Sequence, residues 1–229
     1  MRQAGGMSTP DAMRRRVRRV MGLGRLLALG GAADGAWLSE SAAAAVLRRA
    51  AASVPGAALD DVRLSLADPA AAEDPTVPAP PASLPPGPLR VEADMSVWDL
   101  DEPLPSLTAA LRAALFEAAV EGLGLAVTAV DLRVARLLDA APEQHATPEG
   151  PEAVAPSDPV GTAAATTPGV AHLTATLGAA VHRAPDHVRV ELATAEGYRA
   201  LDVARAVREA VGVALQDERA VTVVISATP

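Results

Sequence analysis

Histidines are the first side chains in this chain that could do chemistry. Three of the four, His172, His182 and His187, lie near the C terminus, and three imidazoles can hold a zinc ion. They fall on two predicted strands and the turn between them, so a hairpin would bring them together. The fourth, His145, lies in a predicted linker. We interpret all four as polar strand, turn and linker residues, and we predict no metal site.

Paired carboxylates are the second candidate chemistry. They occur at Asp60-Asp61, Glu73-Asp74, Asp99 to Glu102 and Glu149 to Glu152. Such pairs perform acid–base catalysis only in a cleft that shifts their pKa values, and all four groups fall in predicted turns or linkers. We therefore predict no catalytic residue and no enzyme. The alternative is an enzyme whose polar residues come together only in the folded structure.

Two further classes of site are excluded by composition. The chain has no cysteine, which removes thiolate nucleophiles and zinc–sulfur sites. It also has no lysine, so the glycine-rich stretch "GLGRLLALGG" cannot be a phosphate-binding loop of the GxxxxGK[ST] type. We predict no cofactor.

The distribution of charge points to interaction instead. The chain has a net charge of −8, but residues 1–30 carry seven arginines and one acid, a net +6, which leaves −14 for the remainder. Such a basic arm suits an anionic membrane surface, an acidic protein partner or the acidic body of its own chain, and a solvated helix is the fourth reading. The predicted interaction residues are Arg14, Arg15, Arg16, Arg18, Arg19 and Arg25.

These arginines also keep a rival function open, that of a nucleic-acid-binding or regulatory protein. Base stacking needs exposed aromatic residues, and the chain has only Trp37, Trp98, Phe116 and Tyr198. The acidic body would moreover repel phosphate, so nucleic acid is not the expected partner. Arg25 interrupts the apolar run after the arm, and no stretch is long enough to span a bilayer. We predict a cytoplasmic protein, peripheral to the membrane if its arm binds lipid.

Proline-rich and acidic stretches divide the chain. The predicted organisation is a disordered N terminus (1–12), a basic arm (13–34), an α/β domain (35–139) with a proline-rich insertion (69–88), a disordered linker (140–168) and a second ββαβ half-domain (169–229). We expect 69–88 and 140–168 to be dispensable for folding.

Within the domains, hydrophobic periodicity predicts alternating strands and helices. Ser39 is a good N-cap for the helix that follows it, and Ser106 is the predicted cap of a second helix, which Gly122 and Gly124 end. The triplet Arg-Val-Glu opens a strand at 90–92 and again at 189–191, and Ala-Val-Thr opens a strand at 126–128 and 220–222. This order predicts repeated βαβ units in an α/β (α+β) fold, with small antiparallel or mixed sheets and helices on one face.

The first domain also resembles a known family. "GAWLSESAAAAVLRRAAASVPGA" and "LRVEADMSVWDL…PSLTAALRAALFEAAVEGLGLAVTAVDLRVARL" are similar to the alkaline shock proteins of the bacterial envelope stress response. In that family a strand, an alanine-rich helix and a Val-Pro-Gly turn are followed by a strand, a helix, a Gly-Leu pair and a valine-rich strand. The likeness covers about residues 35–137, and 170–227 resembles a second copy of the later half.

The chain departs from the family in two places. The segment 69–88 is inserted between the halves, and a glycine common before the second helix is missing from "DLDEPLP". The whole also resembles actinobacterial proteins labelled nucleopolyhedrovirus P-ten family. The resemblance implies a small α/β domain without catalytic residues, which acts in envelope stress through protein partners, a membrane-anchored one among them. The sequence does not decide between a monomer and a homo-oligomer.

Overall fold

The computed structural model describes residues 22–99, 101–142 and 150–229. In these ranges the chain is an α+β protein with nine strands and four α-helices in and around two mixed sheets, as the sequence predicts. The strands are β1 (Leu26–Leu29), β2 (Ala36–Ser39), β3 (Ala57–Leu66), β4 (Leu89–Val97), β5 (Val127–Leu137), β6 (Val170–Leu173), β7 (Val181–Arg183), β8 (His187–Thr194) and β9 (Ala220–Ala227). The helices are α1 (Glu40–Ala51), α2 (Leu104–Glu117), α3 (Pro159–Ala165) and α4 (Ala200–Leu215).

The larger sheet joins the two ends of the described chain. Its order is β1-β2-β9-β8-β6, and β7 also pairs with β8. β2 and β9 are parallel, as are β9 and β8, whereas β1, β6 and β7 are antiparallel to their neighbours. The smaller sheet has the order β3-β4-β5, with β3 antiparallel and β5 parallel to β4.

This topology corrects the predicted domain boundaries. β2 was assigned to the domain 35–139, yet it pairs with β9 from the segment 169–229. β1 lies inside the stretch 13–34 that was predicted to be a basic arm, and it forms a hairpin with β2. β2 and β9 lie more than 180 residues apart, so their parallel pairing leaves no local sequence signal. Local patterns therefore predict domain boundaries at other positions.

Two βαβ units are present, as the repeated triplets suggest. β4, α2 and β5 form the first unit, and β8, α4 and β9 form the second, each with parallel strands joined through a helix. Leu111 of α2 and Val207 of α4 are both fully buried. The predicted equivalence of these two helix faces therefore agrees with their burial.

One main hydrophobic core lies on the helix-covered faces of both sheets. Leu38, Leu64 and Val91 from the strands are buried in the same cluster as Leu47 of α1 and Leu115 of α2. α1 begins where the sequence predicts, because the Ser39 side chain accepts a hydrogen bond from the Ala42 amide at 3.2 Å. The narrow alanine, leucine and valine side chains allow this close packing.

The proline-rich segment 69–88 packs against the larger sheet and is not a free linker. The Leu26 amide donates to the Ala82 carbonyl at 3.2 Å, and the Leu84 amide donates to the Leu26 carbonyl at 2.7 Å. Val77 is buried against Leu26 and Trp37 on the sheet face that carries no helix. Prolines exclude regular structure beyond a short turn at Pro69–Ala71, but their carbonyls still accept hydrogen bonds.

The predicted linker 140–168 contains α3, which corrects the expectation of disorder for that part. The Asp158 carboxylate accepts the Gly161 amide at 2.7 Å, and Pro159 occupies the first turn, where its missing N–H costs nothing. Val160 and Ala164, four residues apart, are buried. Residues 143–149, which include His145, lie outside the described residues.

The predicted start of α2 is wrong, and of the two glycines predicted to end it, Gly124 does so. The helix begins at Leu104 after Pro103, so Ser106 lies inside its first turn and does not cap it. At its other end a π-helical turn continues from Ala118 to Leu123, past Gly122. Gly124 then ends it with φ +86°, a left-handed conformation that favours glycine.

Candidate functional site

The predicted interaction arginines divide into two groups. Arg14, Arg15, Arg16, Arg18 and Arg19 lie outside the described residues. Arg25 precedes β1 and pairs with Glu40 at 3.1 Å, and its guanidinium also donates to the Leu64 carbonyl at 2.5 Å. These contacts hold the pKa of the Glu40 carboxyl below its ordinary value, because they outweigh the opposing effect of burial. Arg25 therefore ties β1 to α1 and β3.

His172 and His187 lie on strands, as the sequence predicts, but His182, which is expected beside a turn, lies on the additional strand β7. The His182 and His187 rings have their centroids 6.4 Å apart, although His182 itself pairs with Arg189 across β7 and β8. His172 on β6 contacts the Pro151 carbonyl at 3.2 Å, and His187 contacts the neighbouring carboxylate of Asp186 at 2.9 Å. Across the described parts of the chain, no group of three or more potential ligands is placed to hold a metal ion.

A groove lined by three arginines is open to solvent in the described structure. It has a volume of about 520 Å³ and lies where α4 meets the start of β9 and the turn between β1 and β2. Its lining is Asp34, Arg205, Arg208, Glu209, Arg219, Ala220 and Val221. We call this site the arginine groove.

α4 positions two of these arginines. Val203, Val207 and Val211 bury one face of the helix, so Arg205 projects to solvent, and Arg208, three residues further on, lies half-buried beside that face. This is a helical arrangement in which two guanidinium groups reach the same patch of surface.

The turn between β1 and β2 supplies a carboxylate, that of Asp34, which holds Arg205 in place in the groove. Asp34 accepts a bidentate pair from Arg205, at 2.8 and 3.2 Å, and it also accepts the Gly31 amide at 2.8 Å. Burial alone would raise the pKa of the Asp34 carboxyl, but these hydrogen bonds and the charges of Arg205 and Arg208 keep that pKa below its ordinary value. Asp34 is therefore ionised at neutral pH and neutralises Arg205.

Arg208 is bound differently. Its guanidinium donates to three backbone carbonyls, those of Val221 at 3.0 Å, Ala33 at 2.8 Å and Asp34 at 2.5 Å. Among the described residues, none of its hydrogen-bond partners is a carboxylate. Burial lowers the pKa of Arg208 and Asp34 opposes that shift, but an arginine stays charged at neutral pH. Arg208 is thus a cation that carbonyl dipoles orient and that no carboxylate of the described residues hydrogen-bonds.

Gly35 permits this close approach. It has φ +57°, and a Cβ there would lie 3.1 Å from the Arg208 guanidinium carbon and 2.8 Å from a Val77 methyl carbon. Any side chain at this position would therefore push Arg208 away from the turn.

Arg219 completes the rim of the groove. It forms a bidentate contact with Asp217, at 2.9 and 2.6 Å, and its remaining nitrogen lies 3.5 Å from the Ala184 carbonyl. This pairing leaves Arg208 as the groove cation that lacks a carboxylate partner within the described residues.

Another polar cluster lies on the same face of the larger sheet as Val77. The Glu191 carboxylate is fully buried and accepts the Thr174 hydroxyl at 2.9 Å and the amides of Thr176 and Leu177 at 2.7 and 2.8 Å. Burial lowers the pKa of Arg189, two residues earlier on β8, and the charge of Glu191 opposes that shift. The cluster is closed to solvent, so it acts in the fold.

The chain matches no protein-family model, no curated protein and no solved structure. In the ranges that the structure describes, none of the helices has the length and apolar character needed to cross a bilayer.

The arginine groove was missed by the sequence analysis, although one signal pointed to it. The helix pattern that buries Val203, Val207 and Val211 also directs Arg205 away from the core and sets Arg208 at the edge of the buried stripe. The contribution of Asp34 could not be predicted, because it lies 171 residues before Arg205 and meets it only through the pairing of β2 with β9.

Proposed function

We propose that this protein is a non-enzymatic accessory or scaffold protein that acts through protein partners at the cytoplasmic face of the membrane, in the manner that the alkaline shock resemblance implies. An acidic segment of the partner binds in the arginine groove. The net +6 charge of residues 1–30 favours a location beside anionic lipid, where each basic residue contributes about 1 kcal/mol.

The carbonyl-bound guanidinium of Arg208 carries this proposal. A cation held at three carbonyls is already oriented, so an incoming carboxylate forms a charge-assisted hydrogen bond without first ordering a flexible side chain. Asp34 pairs with Arg205 and Asp217 pairs with Arg219, so Arg208 is the positive charge that a ligand meets, with the exposed carboxylate of Glu209 beside it on the groove wall.

The dimensions and the surrounding charge favour a short acidic segment over a long polyanion. The groove is open and about 520 Å³ in volume, enough for one or two side chains of a partner. The whole chain carries −8, and its field repels an extended nucleic acid more strongly than a peptide with one or two carboxylates.

The test measures the binding of a fluorescein-labelled peptide of alternating glutamate and glycine to the full chain by fluorescence anisotropy. Arg208→Gln is expected to weaken binding about tenfold, since a hydrogen bond to a charged group contributes about 1.5–3 kcal/mol. Arg63→Gln is the matched control, because Arg63 is an exposed arginine on the other sheet. It should bind as the wild type does.

A second variant distinguishes a loss of binding from a folding defect in Arg208→Gln. Glu209 is exposed on the groove wall, and Glu209→Gln removes a repelling charge without removing a structural contact that the groove uses. It is expected to strengthen peptide binding and to melt at the wild-type temperature. Equal affinity of all four proteins would reject the groove as the binding site. Tighter binding of single-stranded DNA of equal charge would favour the regulatory alternative.

A further inference from the structure

Among the described residues, no backbone segment pairs with the outer edge of β5, whereas backbone segments pair with the edges of β1 and β6. The proline-rich segment pairs with β1 through Leu26, and Val154 donates to the Leu173 carbonyl at the β6 edge. At the β3 edge, Glu40 accepts the Leu64 amide and Arg25 donates to the Leu64 carbonyl. β5 runs for 11 residues and forms the outer strand of its sheet. Unpaired strand edges of this length are templates for pairing with another chain.

One described side chain identifies which backbone groups of β5 point outward. Arg112 of α2 donates to the Val130 carbonyl at 3.0 Å. The N–H and C=O groups of successive strand residues alternate between the two edges, so Leu132 and Val134 point to the same open edge as Val130. The Leu138 amide donates inward to the Val97 carbonyl, which is consistent with this alternation and the irregularity between Val134 and Arg136.

The side chains around Leu132 complement those of a second copy of the same strand that runs in the opposite direction. The sequence of this stretch is Val130-Asp131-Leu132-Arg133-Val134. In an antiparallel pair centred on Leu132, Asp131 faces the partner's Arg133 on the charged face of the sheet. On the other face Leu132 meets the partner's Leu132, and Val130 meets the partner's Val134. Opposite charges and apolar side chains in direct cross-strand positions both stabilise antiparallel pairs.

α2 continues this complementarity above the sheet. Leu104, Thr108, Arg112 and Phe116 follow one another at intervals of four residues, and the contact of Arg112 with Val130 places this row on the side of the β5 edge. Leu104 and Phe116, at the two ends of the row, are 37% and 44% exposed. A twofold axis brings Leu104 of one copy toward the partner's Phe116.

We infer that the β5 edge binds a second copy of this chain, in antiparallel register about a twofold axis at Leu132. The two three-stranded sheets then form one continuous six-stranded sheet, with the two α2 helices side by side on one face. The interface is isologous, since each contact occurs twice. Val134, which is 39% exposed in the single chain, becomes covered by it.

Charge reversal with rescue tests this register. The mass of the full chain is measured by light scattering after size-exclusion chromatography over a concentration series, and the wild type should approach twice 23.2 kDa. Arg133→Asp places two acids opposite two acids and should raise the dimer dissociation constant about tenfold or more. The control Arg63→Asp makes the same charge change on β3 and should leave the mass unchanged.

The double variant Asp131→Arg with Arg133→Asp provides the decisive comparison. It worsens the contacts within one chain, because Arg90 pairs with Asp131 and Asp94 pairs with Arg133. Across the proposed interface, however, it restores opposite charges and should restore the dimer. A wild-type mass of one chain at every concentration, or a double variant as dissociated as Arg133→Asp, would overturn the inference.

Discussion

The two βαβ units carry the same triplet in opposite surroundings. In β4, Val91 faces the core while Arg90 and Glu92 are exposed to solvent. In β8, Val190 faces the core, but Arg189 and Glu191 are also buried. A half-buried strand in one unit is thus a fully buried strand in the other, although the local sequence is the same.

The difference arises from the layer outside the second unit. Between β6 and β7 the chain leaves the edge of β8 and folds across its face, so that the amides of Thr176 and Leu177 bind the Glu191 carboxylate. The proline-rich segment covers the same face at Val77, beside Trp37. The smaller sheet leaves Glu92 exposed, so its charged residues stay hydrated. Burial of a charged strand residue therefore depends on what else covers the sheet, and local sequence does not determine it.

The largest expected effect is the replacement of the buried glutamate. Glu191→Ala removes one carboxylate and leaves the Thr176 and Leu177 amides without their acceptor, beside the uncompensated charge of Arg189. We expect a loss of about 3–5 kcal/mol in the free energy of unfolding, measured by urea denaturation. Glu92→Ala, the matched change in the first unit, should stay within about 0.5 kcal/mol. Equal losses for the two variants would contradict the asymmetry.

The parts of the fold that could be predicted from the sequence are those that local periodicity determines. Ser39 caps α1, and the alternation around Val91 gives β4, because a cap and a strand face each depend on a few adjacent residues. The proline content of 69–88 limits regular structure there to the short turn at Pro69–Ala71. It did not reveal that Val77 would be buried, because that depends on a sheet formed by β1, β2 and β9.

The site was less predictable than the fold for the same reason. The sequence indicated arginines as interaction residues and pointed to the N-terminal stretch, where their density is highest. The described member of that group, Arg25, is held by Glu40, whereas the hydrogen bonds of Arg208 in the groove go to carbonyls. Density of charge is visible in sequence, but the partner of each charge is set by tertiary contacts.

A smaller effect is expected from replacing the threonine of the second repeated triplet, Ala-Val-Thr. Thr222 is buried and donates to the Pro78 carbonyl at 3.0 Å, whereas Thr128 is exposed and lies 3.4 Å from the Leu89 carbonyl. Thr222→Val keeps the shape but leaves a carbonyl without its donor, and it should lower the free energy of unfolding by about 1–2 kcal/mol. It should also speed proteolysis of the segment 69–88. Thr128→Val should change neither quantity, and a protease-resistant segment in Thr222→Val would show that this hydrogen bond does not hold the layer.

The smallest expected effect concerns the ion pair that joins the β1–β2 turn to the second unit. The pKa of Asp34 is lowered in the folded protein, so its contribution to stability is fully present above the ordinary pKa of an aspartate, about 4, and is lost as the pH falls through the lower folded value. Because Arg205 is half exposed, we expect its ion pair with Asp34 to contribute only about 0.5 kcal/mol to the free energy of unfolding at pH 7. Asp34→Asn should therefore be slightly less stable than the wild type at pH 7, and the two should converge once the pH falls below the lowered pKa of Asp34 in the folded protein. Asp94→Asn is the control in the first unit, where Asp94 pairs with the highly exposed Arg133, and salt should weaken its effect more than that of Asp34→Asn. A difference between Asp34→Asn and the wild type that persists unchanged in acid would show that the aspartate stabilises the turn by hydrogen bonding alone, without a contribution from its charge.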